Sequence, residues 1–210
     1  MKGNKKSGFT LIELMVVIGI IAILSGAMMM GFGRITKSAQ RAKAVETVSQ
    51  VAQALAILRQ KNGNAWPKEI LDKEGADGQG KGMVVAVAQK FAEKGLLGIS
   101  RNSEGKLIGV SSCGIVDPWA EAVLKRIKNA EEGASLQVKV PSGRTVEDHI
   151  IYFAVDRDGD GITVANVGGQ SVQVRAEAIA WCAGADGEIA PYANRGRSDD
   201  IYSWDKAKEK

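Results

Sequence analysis

The sequence predicts an α+β protein, with one long N-terminal α-helix packed on a small antiparallel β-sheet. A helical pattern runs from Phe9 to Lys61, and short strand-like stretches crowd the C-terminal half. Short turns separate those stretches, which favours antiparallel pairing. One helix laid on such a sheet is an α+β arrangement.

The helix begins with its most apolar part. From Phe9 to Phe32, 24 residues carry a single charge, Glu13. As a helix this run spans about 36 Å, enough for a hydrocarbon core of about 30 Å. Lys2, Lys5 and Lys6 lie ahead of it, so the positive-inside rule puts the first eight residues in the cytoplasm and everything after Arg34 outside it. Two other readings of this run stay open. One is a secretory signal peptide cut near Ser25-Gly26-Ala27, although its apolar region would be only about 7 to 15 residues. The other is an uncleaved anchor for an unrelated periplasmic domain.

The second half of the helix is amphipathic. Ala42, Val45, Val48, Ala52, Leu55 and Leu58 recur at spacings of three and four, with Arg41, Lys43, Glu46, Gln50, Gln53 and Arg59 on other faces. Asn62-Gly63-Asn64 stops it. A helix from Phe9 to Lys61 would be about 80 Å long, so its first half is expected to protrude from a domain built by the remaining 149 residues.

Residues 65–82 read as a connector containing Trp66-Pro67 and a glycine-rich run. A second helix is expected at Met83 to Lys94, stopped by Gly95. Strands are expected at Ala122 to Ile127, Ser135 to Val140, His149 to Val155, Ile162 to Asn166 and Ser171 to Cys182. The net charge of +4, from 28 basic and 24 acidic residues, falls to 4 − 3 = +1 without the three leading lysines. So even a balance gives no reason to expect a nucleic-acid partner.

Glu13 is the residue that asks for an explanation. A carboxylate at the apolar end of a membrane helix costs about 2.5 to 3.5 kcal/mol, so it normally has a partner. No basic residue lies one helical turn away. A new amino terminus, made by cutting just before Phe9, would supply the missing cation to the Glu13 of a neighbouring copy. Processing and self-association in a filament follow from the same side chain.

The stretch Lys5-Lys6-Ser7-Gly8-Phe9-Thr10-Leu11-Ile12-Glu13-Leu14 resembles the N-terminal processing motif of type IV pilins and of the pseudopilins of type II secretion. The resemblance implies a cut between Gly8 and Phe9 by the prepilin peptidase, N-methylation of Phe9 by the same enzyme, and Glu13 as the assembly glutamate. It also implies an inner-membrane assembly platform with an ATPase as partners. Family members often have a proline in the middle of this helix, where this chain reads Met28-Met29-Met30-Gly31-Phe32-Gly33. The domains expected are a leader (1–8), a transmembrane and assembly helix (9–33), and an exported pilin-like globular domain (34–210) that includes the second half of the helix.

Two C-terminal features are similar to major pseudopilins. Asp117-Pro118-Trp119 matches a DPW that precedes a strand there, although Ala120-Glu121-Ala122 replaces the usual following residues. Ala183 to Gly187, followed by Ser198 to Trp204, is similar to a C-terminal loop where an acidic cluster binds calcium. The resemblance makes Asp186, Asp199 and Asp200 candidate Ca2+ ligands, and a hard cation held by about six to eight oxygens would fix a loop that gains little from core burial. Solvated turn residues are the alternative. Asp156-Arg157-Asp158-Gly159-Asp160-Gly161 matches the first half of an EF-hand loop, but position 12 falls on Val167 and the flanks read as strands, so a hairpin turn is expected, with calcium there a weaker, separate reading.

Cys113 and Cys182 are either free core thiols or one bridge, worth roughly 4 kcal/mol in the chain-entropy model. Nothing in the sequence points to catalysis. The single His149 sits in a strand pattern and reads as structural, and no nucleophile elbow, phosphate loop, HExxH or paired cysteine set is present. The function expected is a structural subunit of a type II secretion pseudopilus, single-pass in the inner membrane with a periplasmic domain before assembly. The alternatives are a type IV pilus pilin for adhesion, motility or DNA uptake, in a filament at the cell surface, and a low-abundance tip subunit binding cargo.

Overall fold

The structure is a computed structural model. It describes residues 10–71, 91, 110–111, 114–124 and 139–205, with residues 26–34, 110 and 111 in backbone only. The expected helix at Met83 to Lys94 lies outside the described residues except for Phe91, which is helical and fully buried. The expected strand at Ser135 to Val140 also lies outside them, apart from Lys139 and Val140. The chain forms two units, Met1–Ala39 and Gln40–Lys210.

Helix α1 spans Leu11–Lys61. In the first unit each large apolar side chain described, from Leu11 (77% exposed) to Leu24 (55%), faces outward. A helix that is apolar and exposed all round asks for lipid or another helix as its surroundings. Among the described residues no helix is long and apolar enough to cross a membrane; the expected span, 9–33, falls partly on residue 9 and on side chains 26–34, which lie outside them.

In the second unit α1 buries Ala44, Val48, Val51, Ala54, Leu55 and Leu58. The stripe expected from periodicity is therefore turned slightly: Val48, Leu55 and Leu58 lie at its centre, Val45 and Ala52 on its flank, and Ala42 is exposed. The small residues Ala44 and Ala54 let the helix approach the sheet closely. Gly63 and Asn64 end α1 in the left-handed region (φ 70° and 67°), and the Asn64 N–H returns to the Arg59 carbonyl. A short helix α2 (Lys68–Leu71) follows Pro67 inside the expected connector.

The remaining elements are β1 (Val110–Ser111), β2 (Gly114–Ile115), α3 (Pro118–Leu124), a 3-10 helix (Val146–His149), β3 (Tyr152–Val155), β4 (Thr163–Val167), β5 (Gln170–Val174), β6 (Ala178–Cys182), a second 3-10 helix (Tyr192–Asn194) and β7 (Ile201–Tyr202). Among the described residues all strand pairs are antiparallel: β1 with β2, β4 with β5, and β3 and β7 on either side of β6.

Strand β6, AIAWC, is buried along its whole length because both its faces are covered. Ala178, Ala180 and Cys182 pack with α1, together with Phe153 and Val155 of β3. Ile179 and Trp181 pack with Ala165, Val167 and Val172 of the β4–β5 hairpin. That hairpin turns at Gly168-Gly169, both at positive φ. A Cβ on Gly168 would lie 2.3 Å from the Ala190 carbonyl oxygen, so glycine lets the C-terminal loop cross the hairpin tip.

Three expectations are corrected. Of the strand expected at Ala122 to Ile127, the described part, Ala122 to Leu124, belongs instead to helix α3 (Pro118–Leu124), which Asp117 caps through its Oδ1 on the Trp119 and Ala120 N–H groups, both at 3.0 Å, while residues 125–127 lie outside the described residues. The His149–Val155 strand begins only at Tyr152, because Thr145 and Asp148 form a capping box that starts a 3-10 turn ending at His149. Ser171 to Cys182 is two strands, parted where the Ala176 N–H bends back to the Val174 carbonyl.

Candidate functional site

The N-terminal site described by the structure is Thr10 with Glu13. Thr10 precedes α1, and its N–H and its hydroxyl each donate to Glu13 Oε2 at 2.8 Å, while the Glu13 N–H points back to Thr10 Oγ1 at 3.4 Å. This is a capping box, which satisfies orphan N–H groups of the first turn. Glu13 thus has hydrogen-bond partners in its own chain, an arrangement not foreseen from sequence although Thr10 three residues ahead signals it. The donors are neutral, so these hydrogen bonds leave the carboxylate's charge without a counter-ion. Gly8 and Phe9 lie outside the described residues.

The C-terminal loop is built by two crossing segments. Gly184 has φ +68°, and a Cβ there would lie 2.6 Å from the Asp199 carbonyl oxygen, so glycine lets 183–187 run against 198–200. Asp199 Oδ2 accepts from the Ala185 N–H at 2.6 Å, and Asp186 Oδ1 from the Glu188 N–H at 2.9 Å. Asp200 is buried, and its Oδ2 accepts from the Ala190 N–H, the Ser198 hydroxyl and the Tyr202 hydroxyl at 2.9 to 3.1 Å. Its Oδ1 is buried without a partner. Burial pushes the Asp200 carboxyl above its ordinary range, against the hydrogen bonds that favour its charged form.

Asp186, Asp199 and Asp200 do not converge as a set. Among the described residues, the carboxylates that do converge are Asp156, Asp158 and Asp160 in the β3–β4 turn, their oxygens within 4.8 Å of one another. That turn already has an internal cation. Asp156 accepts from the Gly159 and Gly161 N–H groups at 2.7 and 3.0 Å and from Arg59 Nη1 at 3.3 Å, and Arg59 itself stacks over Trp66. Burial raises the Asp156 carboxyl, but these donors together outweigh it and hold it below its usual range. Arg59 therefore ties the turn to the end of α1.

Cys182 is buried and free, and burial, then the Asp117 carboxylate, pushes its thiol well up, which makes it unreactive. Cys113 lies outside the described residues.

His149 is fully buried but not isolated. Backbone pairing of Val116 with Ile150 sets Asp117 beside it, and the two side chains meet at 2.8 Å, Asp117 Oδ2 on His149 Nδ1. His149 Nε2 meets Ser142 Oγ at 3.0 Å. Burial raises the Asp117 carboxyl, while His149 and the cap of α3 pull the other way. Sequence reading missed this network because residues 117, 142 and 149 come together only through tertiary pairing.

A family model described as the prokaryotic N-terminal methylation motif matches residues 3–29. Compared with curated proteins and with solved structures, the chain has no significant match. The matched residues take in Gly8, Phe9, Thr10 and Glu13. Over these residues the chain therefore carries the prokaryotic N-terminal methylation motif, the prepilin-type signal of type IV pilins and pseudopilins.

Proposed function

We propose that this chain is a structural subunit of a type II secretion pseudopilus. The precursor waits in the inner membrane, the prepilin peptidase cuts between Gly8 and Phe9 and methylates Phe9, and an assembly platform with its ATPase adds subunits as the helices bundle. The observation that carries this reading is the methylation motif at residues 3–29 together with the exposed apolar surface of α1. The pseudopilus, as opposed to a surface pilus, is favoured by the sequence resemblance of the C-terminal loop and of Asp117-Pro118-Trp119, although that tripeptide here opens helix α3 and not a strand. A cell lacking the chain is expected to retain secreted enzymes in the periplasm while keeping its surface fibres. Normal secretion with loss of twitching or adhesion would move the chain to the pilus.

Calcium belongs to the same reading. Asp200 Oδ1, buried and without a partner, supports the reading; Asp199 and Asp186 lie on the adjoining loop segments and would have to draw together with it around the cation. Because its folded pKa is raised, Asp200 stabilises the fold most below its unfolded pKa and loses that contribution as pH rises through the folded value. At neutral pH a bound cation would offset the cost of burying the charge. The thermal midpoint of the protein at neutral pH is expected to rise with calcium and fall with chelator, and more so at pH 7 than at pH 4. An Asp200→Asn variant should lose that response; an unchanged midpoint in the parent protein removes calcium from the account.

A further inference from the structure

We propose that Ser142, His149 and Asp117 form a reactive-serine site for small activated esters, with Ser142 as nucleophile, His149 as its base and Asp117 as the group that orients the base. Ser142 Oγ lies 3.0 Å from His149 Nε2, and His149 Nδ1 lies 2.8 Å from Asp117 Oδ2. Both distances fall in the range of a nucleophile, a base and an orienting carboxylate acting in series. Such a trio is recognised by geometry and roles and not by order along the chain.

Each member is held independently. Asp117 keeps its Oδ1 on the Trp119 and Ala120 N–H groups, which leaves Oδ2 fixed on the imidazole. His149 is fully buried, and Val146 and Ile150, on either side of it in sequence, belong to a small core with Val116, Ala120 and Val140. Gly187 closes over the ring: a Cβ there would lie 2.7 Å from Nε2. The base is therefore buried, with Gly187 close against its ring, while Ser142 is exposed on the tight turn after Pro141. Ser142 Oγ also receives the Arg144 N–H at 3.3 Å, which leaves its own proton available to Nε2. The tautomer the chemistry requires is the one with Nδ1–H facing the Asp117 carboxylate and Nε2 accepting from Ser142.

In the reaction, Ser142 Oγ bonds to the acyl carbon of an ester and passes its proton to His149 Nε2. The proton then leaves with the departing alcohol. The turn offers little to hold an oxyanion, since the Gly143 N–H is committed to the Val140 carbonyl and the Arg144 N–H to Ser142. The readout is therefore single-event labelling and not rapid turnover.

The test treats the full chain in detergent with an alkyl fluorophosphonate and maps the modified serines by mass spectrometry. Here the phosphorus–oxygen bond forms and fluoride departs with the proton. Ser142 is expected to be labelled at least about a hundredfold faster than Ser171, an exposed serine with no histidine recorded beside it. Ser142→Ala removes the signal without touching the core. Asp117→Asn, which can keep the α3 cap, is expected to slow labelling of Ser142 while circular dichroism is unchanged. Equal rates at Ser142 and Ser171 in the unmodified sequence would overturn the proposal, leave the trio as a structural pin, and need no variant to establish.

Discussion

Replacing Glu13 by Ala is expected to leave the precursor inserted and trimmed but to lower its amount in sheared filaments at least about tenfold. Truncating one partner of a desolvated charge pair costs roughly 2 to 5 kcal/mol, and 1.4 kcal/mol is already a factor of ten in an equilibrium. The capping box adds a second role for the same carboxylate, because Thr10 holds Glu13 Oε2 through two hydrogen bonds. Glu13→Gln separates the roles. A glutamine at this position still completes a capping box but carries no charge. If charge pairing with a neighbour's new amino terminus drives assembly, Gln and Ala fail alike; if capping is what matters, Gln assembles and Ala does not. Normal filaments from both variants would contradict the pairing argument.

The second large effect is in the fold. Trp181 is fully buried on the face of β6 turned to the β4–β5 hairpin, stacked on Tyr152 at 5.9 Å and met edge-on by Trp204 at 6.1 Å. Trp181→Ala would leave a void between β6 and the hairpin, costing about 3 to 5 kcal/mol. For a chain of this length that is a fall in melting temperature on the order of 10 °C. Trp181→Phe should retain most of the stability, since the indole Nε1 makes no hydrogen bond that the change would remove. Thermal unfolding followed by circular dichroism measures both, and a loss under about 1 kcal/mol for the Ala variant would mean that the hairpin does not seal this face.

What could be read from sequence followed periodicity and turn chemistry. Helix α1 is legible from its apolar run and from Asn62-Gly63-Asn64, and β4 and the start of β5 from the strand-like stretches at Ile162 to Asn166 and from Ser171 onward. Helix α3 was misread as strand because Ala122 and Val123 look extended by composition, although Asp117-Pro118 is a cap followed by proline in the first turn. The hidden part is tertiary. The capping role of Glu13 depends on a three-residue spacing that its apolar surroundings obscured. The internal cation at Asp156 comes from Arg59, 97 residues earlier. The orphaned oxygen of Asp200 arises only where two loop segments cross over Gly184.

The account rests on processing at the N-terminus. Intact mass and N-terminal fragmentation of protein isolated from its native cells should give a chain that begins at Phe9, eight residues shorter than the translated sequence, with a methyl group on the Phe9 nitrogen. A mature protein that still starts at Met1, or one that starts near Ala27 after an ordinary signal-peptidase cut, would contradict it.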